Sequence, residues 1–274
     1  MTLSGGDVRR LLDRHGLAPS RARGQNFVVD PNTVRRIARL AGVGRGDRVV
    51  EIGAGLGSLT LALAETGAQV TAIEIDSRLM EALRSVVEPM GVTVVEADAL
   101  RLDWGAFLGG DGWILVANLP YNVATPVVAD LLDGVPAIRR MLVMVQREVG
   151  ERLAAGPGDG AYGAVSVKVA YWATAKVVGR VPPTVFHPVP KVESALVRID
   201  RRVEPAVGPD VDPEWLFRLV RTGFGQRRKM LRRSLAGLVD AEAFVAAEVR
   251  PEARAEELDL AAWARLARSS PAGA

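Results

Sequence analysis

The chain has 274 residues, a length that suits one α/β domain with a smaller appendage, and 49% of its residues are hydrophobic. It has no cysteine and only two histidines, which excludes disulfides, iron–sulfur clusters and cysteine-ligated zinc, so we expect no metal site. The formal net charge is only +3, no apolar run reaches the roughly 18 residues needed to cross a bilayer, and the N-terminus lacks a signal-peptide core, so we expect a soluble, cytoplasmic protein without membrane contact.

The N-terminal part of the chain alternates between helical and strand patterns. Asp30–Ala41 predicts a helix with its N-cap at Asp30, and Ser58–Glu65 and Arg78–Val87 are amphipathic. The predicted strands are Arg48–Ile52, Val70–Glu74, Val92–Glu96, Trp113–Ala117, Arg140–Gln146, Ala175–Val181 and Glu193–Ile199. Nearly continuous apolar strands separated by helices are typical of a parallel sheet that is covered on both faces.

The C-terminal part has a different composition. Val203–Pro213 contains three prolines and a glycine and reads as a linker. Beyond it, Pro213–Leu238 and the stretches after Ala241 are rich in Ala, Arg, Leu and Glu and carry no strand pattern. We therefore predict two domains, an α/β domain over 1–204 and a small all-helical domain over 205–274.

A glycine-rich turn follows the strand that begins at Arg48. Glycines stand at alternate positions, Gly53, Gly55 and Gly57, and Glu51 precedes the first of them by two residues. A dinucleotide fingerprint requires glycine at the sixth position, which here is Ser58. The turn therefore fits a methyl-donor site better than a pyrophosphate site.

Two further acids follow later strands. Glu74 ends a strand 21 residues after Gly53, where a carboxylate can accept both hydroxyls of a ribose, although one acid at a strand end is often only solvated. Asp98 follows the next strand and can accept the amine of an adenine. Together they predict a site for an adenosine-containing ligand.

The tetrapeptide from Asn118 to Tyr121 follows the fourth predicted strand and carries the catalytic hypothesis. The Asn118 side-chain oxygen and the Leu119 carbonyl can each accept one N–H of an adenine amine, which turns its lone pair toward a methyl group. Pro120 fixes the turn, and Tyr121 offers a face on which an unstacked base can lie. This chemistry needs orientation and electrostatics and no strong general base.

Phe186 has two readings that spacing alone does not separate. It precedes a proline-stiffened loop, His187-Pro188-Val189-Pro190, where a buried aromatic packs the core. Alternatively, it provides a second stacking face opposite Tyr121.

Basic residues cluster near both ends of the chain. Seven lie between Arg218 and Arg233 with no acidic residue among them, and five more lie from Arg9 to Arg23. This distribution indicates a polyanionic partner, although a solvated helix face would look the same.

The chain resembles the KsgA-type 16S ribosomal RNA adenine dimethyltransferases in seven segments, which follow one another in the same order as in that family. The segments are Gly24–Phe27, Val50–Thr60, Ala72–Asp76, Asn118–Asn122, Val145–Val149, Phe186–Ser194 and Gln226–Arg232. Two residues depart from the family pattern: Ala54 stands where proline is usual, and Arg233 where asparagine is usual.

The resemblance implies a class I, Rossmann-like S-adenosylmethionine methyltransferase sheet with a C-terminal helical domain. It implies dimethylation of the N6 amines of two adjacent adenosines in a hairpin loop near the 3′ end of 16S RNA, within the immature 30S subunit, by a monomer. The residues expected to hold S-adenosylmethionine are Gln25, Asn26, Val28, Glu51, Gly53, Gly55, Glu74, Ile75, Asp98, Ala99 and Asn118. The expected RNA contacts are Arg227, Arg228, Lys229 and Arg232.

Several other functions share parts of this pattern. Erythromycin-resistance methyltransferases have the same donor motifs but modify 23S RNA, and DNA adenine methyltransferases usually carry a larger base-reading domain. A ribosome-assembly factor without catalysis would also need the basic residues. A nicotinamide-dependent oxidoreductase is disfavoured by Ser58.

Overall fold

A computed structural model of the protein describes residues 2–20, 23–120 and 123–270. The chain forms two compact units, of which the first comprises Met1–Gly150 with Lys176–Arg201 and the second Glu151–Ala175 with Arg202–Ala274. The predicted boundary at residue 204 lies close to the last crossing between the units. Each unit, however, consists of two separate stretches of sequence, because residues 151–175 belong to the same unit as the C-terminal residues. The functional domains 1–204 and 205–274 stay a prediction.

The strands in the described residues are mostly those expected from the sequence, with end positions that differ by at most two residues. They are β1 (Phe27–Val28), β2 (Arg48–Ile52), β3 (Gln69–Glu74), β4 (Thr93–Glu96), β5 (Trp113–Asn118), β6 (Ile138–Gln146), β7 (Ala173–Val181), β8 (Phe186–His187) and β9 (Ser194–Arg201). The helices are α1 (Gly5–Arg14), α2 (Pro31–Ala41), α3 (Ser58–Ala64), α4 (Met80–Val87), α5 (Trp104–Leu108), α6 (Ala124–Gly134), α7 (Arg147–Ala154), α8 (Ala164–Trp172), α9 (Pro213–Gly225), α10 (Leu231–Ser234), α11 (Ala241–Ala246) and α12 (Leu260–Ser269).

The main sheet has seven strands in the order β4-β3-β2-β5-β6-β9-β7. Neighbouring strands from β4 to β6 are parallel, as predicted. Strand β9 runs antiparallel to β6, with Met144 opposite Leu196. An apolar run does not encode its direction, so the sequence pattern could not reveal this reversal. The mostly parallel, seven-stranded sheet confirms the α/β fold predicted from the sequence.

Helix ends follow local capping chemistry. The Asp30 carboxylate accepts hydrogen bonds from the backbone N–H groups of Asn32 and Thr33, and α2 ends at Gly42 with a φ of 62°. Helix α1, which the sequence analysis did not predict, begins with a capping box in which Ser4 and Asp7 bind each other's backbone N–H groups.

The core of the first unit lies between the sheet and the helices that cover it. Val34 and Ile37 of α2 and Leu63 of α3 are buried in one apolar cluster with Val49 of β2 and Val116 of β5. Burial on this scale holds the strand ends rigidly, which is what a site built at those ends requires.

The second unit is helical in its described residues from 205 to 270, as predicted. Trp263 is fully buried among the apolar side chains of α9, α11 and α12, and the Tyr162 hydroxyl donates to the Leu258 carbonyl at 3.0 Å.

The stretch Pro213–Leu238 of the predicted helical domain contains two helices with a turn between them, so the basic run is only partly helical. Helix α9 ends at Gly225, residues 226–230 form a turn in which the Lys229 N–H donates to the Gln226 carbonyl at 2.8 Å, and α10 begins at Leu231. Glycine lowers helix propensity and adjacent cations repel one another, so α9, which contains Arg218 and Arg221, ends before the consecutive cations at 227–229.

Candidate active site

A cavity of about 480 Å³ lies at the carboxyl ends of β2, β3, β4 and β5. Parallel strands bring the residues that follow them to one edge of the sheet, which is where open α/β sheets bind ligands. All the residues predicted to hold the donor line this cavity, namely Gln25, Asn26, Val28, Glu51, Gly53, Gly55, Glu74, Ile75, Asp98, Ala99 and Asn118.

The glycine turn after β2 is shaped by backbone requirements. Gly53, Gly55 and Gly57 all have positive φ values of 74°, 59° and 89°. A Cβ on Gly55 would lie 3.0 Å from the Phe27 ring, and one on Gly57 would lie 2.5 Å from Val87 Cγ1. Only glycine combines a positive φ with the absence of a Cβ at these positions. Without side chains, the backbone of the turn can lie close to a ligand in the cavity.

The carboxylate of Glu74 joins the end of β3 to this turn. Its Oε2 accepts a hydrogen bond from the Gly55 N–H at 2.8 Å, and its Oε1 accepts from the N–H groups of Ile75 at 3.0 Å and Asp76 at 2.9 Å. The side chain is 5% exposed, and burial raises its pKa although the three N–H groups oppose that shift.

Glu51 is more deeply buried and less well paired. It is 2% exposed, and in the described part of the chain its Oε2 has no hydrogen-bond partner. Burial raises the pKa of Glu51 to about 8; the Thr60 hydroxyl opposes the shift, and the neighbouring Glu74 adds to it. A buried acceptor that lacks a donor, in a cavity wall, fits a ligand that brings a hydrogen-bond donor or a positive charge.

The opposite part of the cavity combines one polar acceptor with apolar side chains. Asp98 Oδ1 accepts from the Leu100 N–H at 3.0 Å. Ile75 and Leu100 line the cavity although they are 53% and 44% exposed. Exposed apolar side chains beside a carboxylate fit the faces and the amine of an adenine ring. Leu100 could not be predicted from the sequence, because a single apolar residue in a loop carries no pattern.

The segment from Asn118 to Pro120 lies at the same edge. Asn118 Nδ2 donates to the Asn26 carbonyl at 3.1 Å, which fixes the orientation of its amide. The Leu119 side chain is buried, its N–H donates to the Met144 carbonyl at 3.0 Å, and Pro120 borders the cavity. Tyr121, the predicted stacking residue, lies outside the described residues.

Phe186 is not among the residues that line the cavity. Its side chain is 2% exposed and belongs to the apolar core of the first unit, and its backbone pairs with Val28 between β8 and β1. Of the two readings left open, this geometry supports core packing directly. A stacking role for Phe186 stays a prediction.

In the second unit, the residues predicted to contact RNA fall into two groups. Arg227 pairs with Glu256 and donates to the Gly160 carbonyl, and Arg232 lies 3.2 Å from Glu252. Arg228 and Lys229 are exposed and form no ion pair within the part of the chain that the structure describes. Phosphate groups can therefore reach these two cations without breaking an existing pair.

Metal-binding clusters and membrane-spanning helices are both absent from the described residues. Residues 2–20, 23–120 and 123–270 contain no cluster of three His, Cys, Asp or Glu side chains that could hold a metal ion. Within the same ranges, every helix is too short or too polar to cross a bilayer.

Comparisons with known proteins agree with this geometry. The family model described as "Ribosomal RNA adenine dimethylase" matches residues 20–270. The chain is 50% identical to the ribosomal RNA small subunit methyltransferase A of Cutibacterium acnes over 96% of this chain and 93% of that protein, and 48% identical to the protein of the same name from Thermobifida fusca over 98% and 96%.

Solved structures extend the similarity to the fold. The 23S rRNA methyltransferase ErmE is 28% identical, with a TM-score of 0.70 over 89% of this chain and 99% of that one. A dimethyladenosine transferase from Plasmodium falciparum is 24% identical, with a TM-score of 0.71 over 88% and 95%, and this likeness concerns the fold alone.

The raised pKa of Glu51 predicts a specific pH dependence of stability. The folded state keeps the proton up to about pH 8, whereas the unfolded chain releases it near 4.5, so stability is lost as the pH rises between these values. The variant E51Q is neutral throughout and should be more stable than wild type at pH 7, by up to about 3 kcal/mol, with no gain at pH 4.5.

Urea unfolding of the donor-free protein at several pH values measures this difference. The control is E96Q, at an exposed glutamate that ends strand β4 of the same sheet, and its stability should follow wild type. A stability gain in E51Q that is the same at every pH would contradict the account.

Proposed function

The chain belongs to the ribosomal RNA adenine dimethylase family, and from this premise we propose that it transfers methyl groups from S-adenosylmethionine to the N6 amines of two adjacent adenosines near the 3′ end of 16S RNA. The class of reaction, dimethylation of adenine in small-subunit RNA, agrees with the family model and with relatives that are 44% to 50% identical over nearly their whole length. The hairpin loop, the immature 30S subunit as substrate and the monomeric state are the finer parts of the proposal.

The observation that carries the proposal is the convergence of the predicted donor residues on one cavity beside Asn118. The residues fit an adenosine-containing methyl donor. Glu74 and Asp98 supply acceptors for ribose hydroxyls and an adenine amine, Ile75 and Leu100 supply apolar faces, and the orphaned Glu51 oxygen is an acceptor for the methionine part of the donor. When bound, S-adenosylmethionine supplies an electrophilic methyl group on a sulfonium.

The chain's own residues then orient the target amine. The Asn118 side-chain oxygen and the Leu119 carbonyl would each accept one N–H of the adenine and so aim the nitrogen lone pair at the methyl group. A bound donor would supply that methyl group and leave as the thioether, and the amine proton, acidified by the transfer, would pass to water. In this proposal the Tyr121 ring stacks against the unstacked base. Asn118, Leu119 and Tyr121 therefore promote methyl transfer through orientation and electrostatics.

The resistance-type 23S methyltransferase remains the second candidate, because the ErmE structure shares the fold over most of this chain. Identity favours the small-subunit reaction, since the relatives named for it reach 50% and ErmE reaches 28%. An enzyme whose substrate is a ribosomal subunit meets that substrate in the cytoplasm, so the predicted location is part of the same proposal.

Replacing Glu74 tests the proposal and separates catalysis from RNA binding. E74A removes the acceptor for the ribose hydroxyls, so methyl transfer to unmethylated small subunits at limiting donor should fall about a hundredfold or more, whereas subunit binding should change less than about twofold. Radiolabelled methyl transfer and filter binding measure the two effects. The control, E96A, should leave both unchanged. Full transfer by E74A would overturn the assigned cavity.

The unequal pairing of the basic residues makes a second prediction. The double variant R228A/K229A should weaken small-subunit binding and reduce the slope of log affinity against log salt by about two, because each phosphate contact releases about one counterion. R227A/R232A removes the same charge but at positions already paired with Glu256 and Glu252, so its slope should change less. Equal slopes for R228A/K229A and wild type would remove these two residues from the RNA contact.

A further inference from the structure

Asp76, two residues after Glu74, has a fully buried side chain. Its Oδ2 accepts from Gln25 Nε2 at 2.8 Å and from Arg78 Nη2 at 2.6 Å, and its Oδ1 accepts from Arg78 Nε at 2.9 Å. Arg23 Nη1 lies 3.4 Å from Oδ1. Asp76 does not border the cavity, but Arg23 and Gln25 both do.

The charge state of Asp76 sets what it can bind. The Arg78 guanidinium, supported by Gln25 and Arg23, holds the pKa of Asp76 well below its usual range, against the effect of burial. The carboxylate is therefore ionised at neutral pH and only accepts hydrogen bonds. Charge-assisted hydrogen bonds of this kind are among the stronger ones in proteins.

The side-chain amide of Gln25 forms hydrogen bonds through both its nitrogen and its oxygen. Nε2 donates to Asp76, and Oε1 accepts from the Ser20 N–H at 2.8 Å. The amide has one consistent orientation, because a carboxylate requires the NH₂ group and a backbone N–H requires the oxygen. The side chain thus ties two points near the N-terminus to the end of β3.

The segment Arg23–Val28 forms one wall of the cavity and is fastened at both ends. Its far end is held by the pairing of β1 with β8 and by the bond from Asn118 Nδ2 to the Asn26 carbonyl. Its near end is held by Asp76, through Gln25 and Arg23. Asn26 and Phe27 belong to the far-end attachment, and the Phe27 ring lies against Gly55 of the glycine turn.

A capping role accounts for only part of this arrangement. Asp76 Oδ1 accepts from the Arg78 N–H at 3.3 Å and so caps the short 3-10 helix Ser77–Leu79. Capping does not require the Oδ2 contact to Gln25, which lies 51 residues away in sequence. That long-range contact links the donor cavity's wall to the strand end that carries Glu74.

We infer that Asp76 is a positioning residue that fastens the wall segment Arg23–Val28 over the donor cavity, acting through Gln25 and Arg23. The inference rests on the proposed function, in which the cavity holds S-adenosylmethionine. Loss of the Asp76 carboxylate lets the wall open, so donor affinity falls although every residue that lines the cavity is kept. The KM for the donor should rise, and kcat at saturating donor should stay close to wild type.

Calorimetric binding of S-adenosylhomocysteine to full-length variants tests the inference as a double-mutant cycle. D76A and Q25A should each weaken binding about tenfold, and the double variant should also lose about tenfold rather than a hundredfold, because both remove one shared contact. The control is R78A, which removes the other main partner of Asp76. Arg78 does not line the cavity, so R78A should change the affinity for S-adenosylhomocysteine less than about threefold.

A second readout distinguishes wall opening from general loss of structure. Trypsin cleavage after Arg23, mapped by mass spectrometry, should be faster in D76A and Q25A than in wild type and should be slowed less by the bound ligand. If D76A does not fold, the half-buried partner variant Q25A carries the test through its cleavage rate after Arg23 without ligand, a readout that does not depend on contact between Gln25 and the donor. Binding within twofold of wild type in Q25A, or additive losses in the cycle, would overturn the inference while leaving the proposed function intact. Wild-type protein that bound no S-adenosylhomocysteine would overturn both.

Discussion

Three backbone N–H groups converge on the buried carboxylate of Glu74, and the geometry of the site depends on them. Through Oε2 the carboxylate holds the glycine turn after β2, and through Oε1 it holds the backbone that follows β3. Two neighbouring parallel strands are thereby locked at their carboxyl ends, where Ile75 and Asp76 take up their positions. The wall segment Arg23–Val28 is in turn attached to this locked edge by Asp76 and by Asn118.

Burying carboxyl groups in this way costs stability, and the site concentrates that cost where a ligand can offset it. Glu51 and Glu74 are both nearly inaccessible, and burial raises the pKa of each; the Glu74 charge adds to the shift of Glu51, and the Asp76 charge adds to the shift of Glu74. A core built only for stability would replace the unpaired Glu51 oxygen by an apolar group. Its presence in the cavity wall is the kind of local inconsistency that functional sites carry.

Much of this could be predicted from the sequence, for reasons that particular residues make plain. Apolar runs bounded by glycine, proline and acidic residues locate β2 to β6, and the common edge of parallel strands gathers Glu51, Glu74, Asp98 and Asn118. The reversed direction of β9 and the burial of Phe186 depend on tertiary contacts, which a local pattern does not encode. Asp76 was missed because its partner Gln25 lies far away in the chain.

The most direct test of the account is nucleoside mass spectrometry after the protein and S-adenosylmethionine have been incubated with unmethylated small and large ribosomal subunits in separate reactions. The account predicts N6,N6-dimethyladenosine in the small-subunit RNA only. Product confined to the large-subunit RNA would contradict it and transfer the assignment to the resistance-type enzymes, and no product in either RNA would contradict catalysis itself.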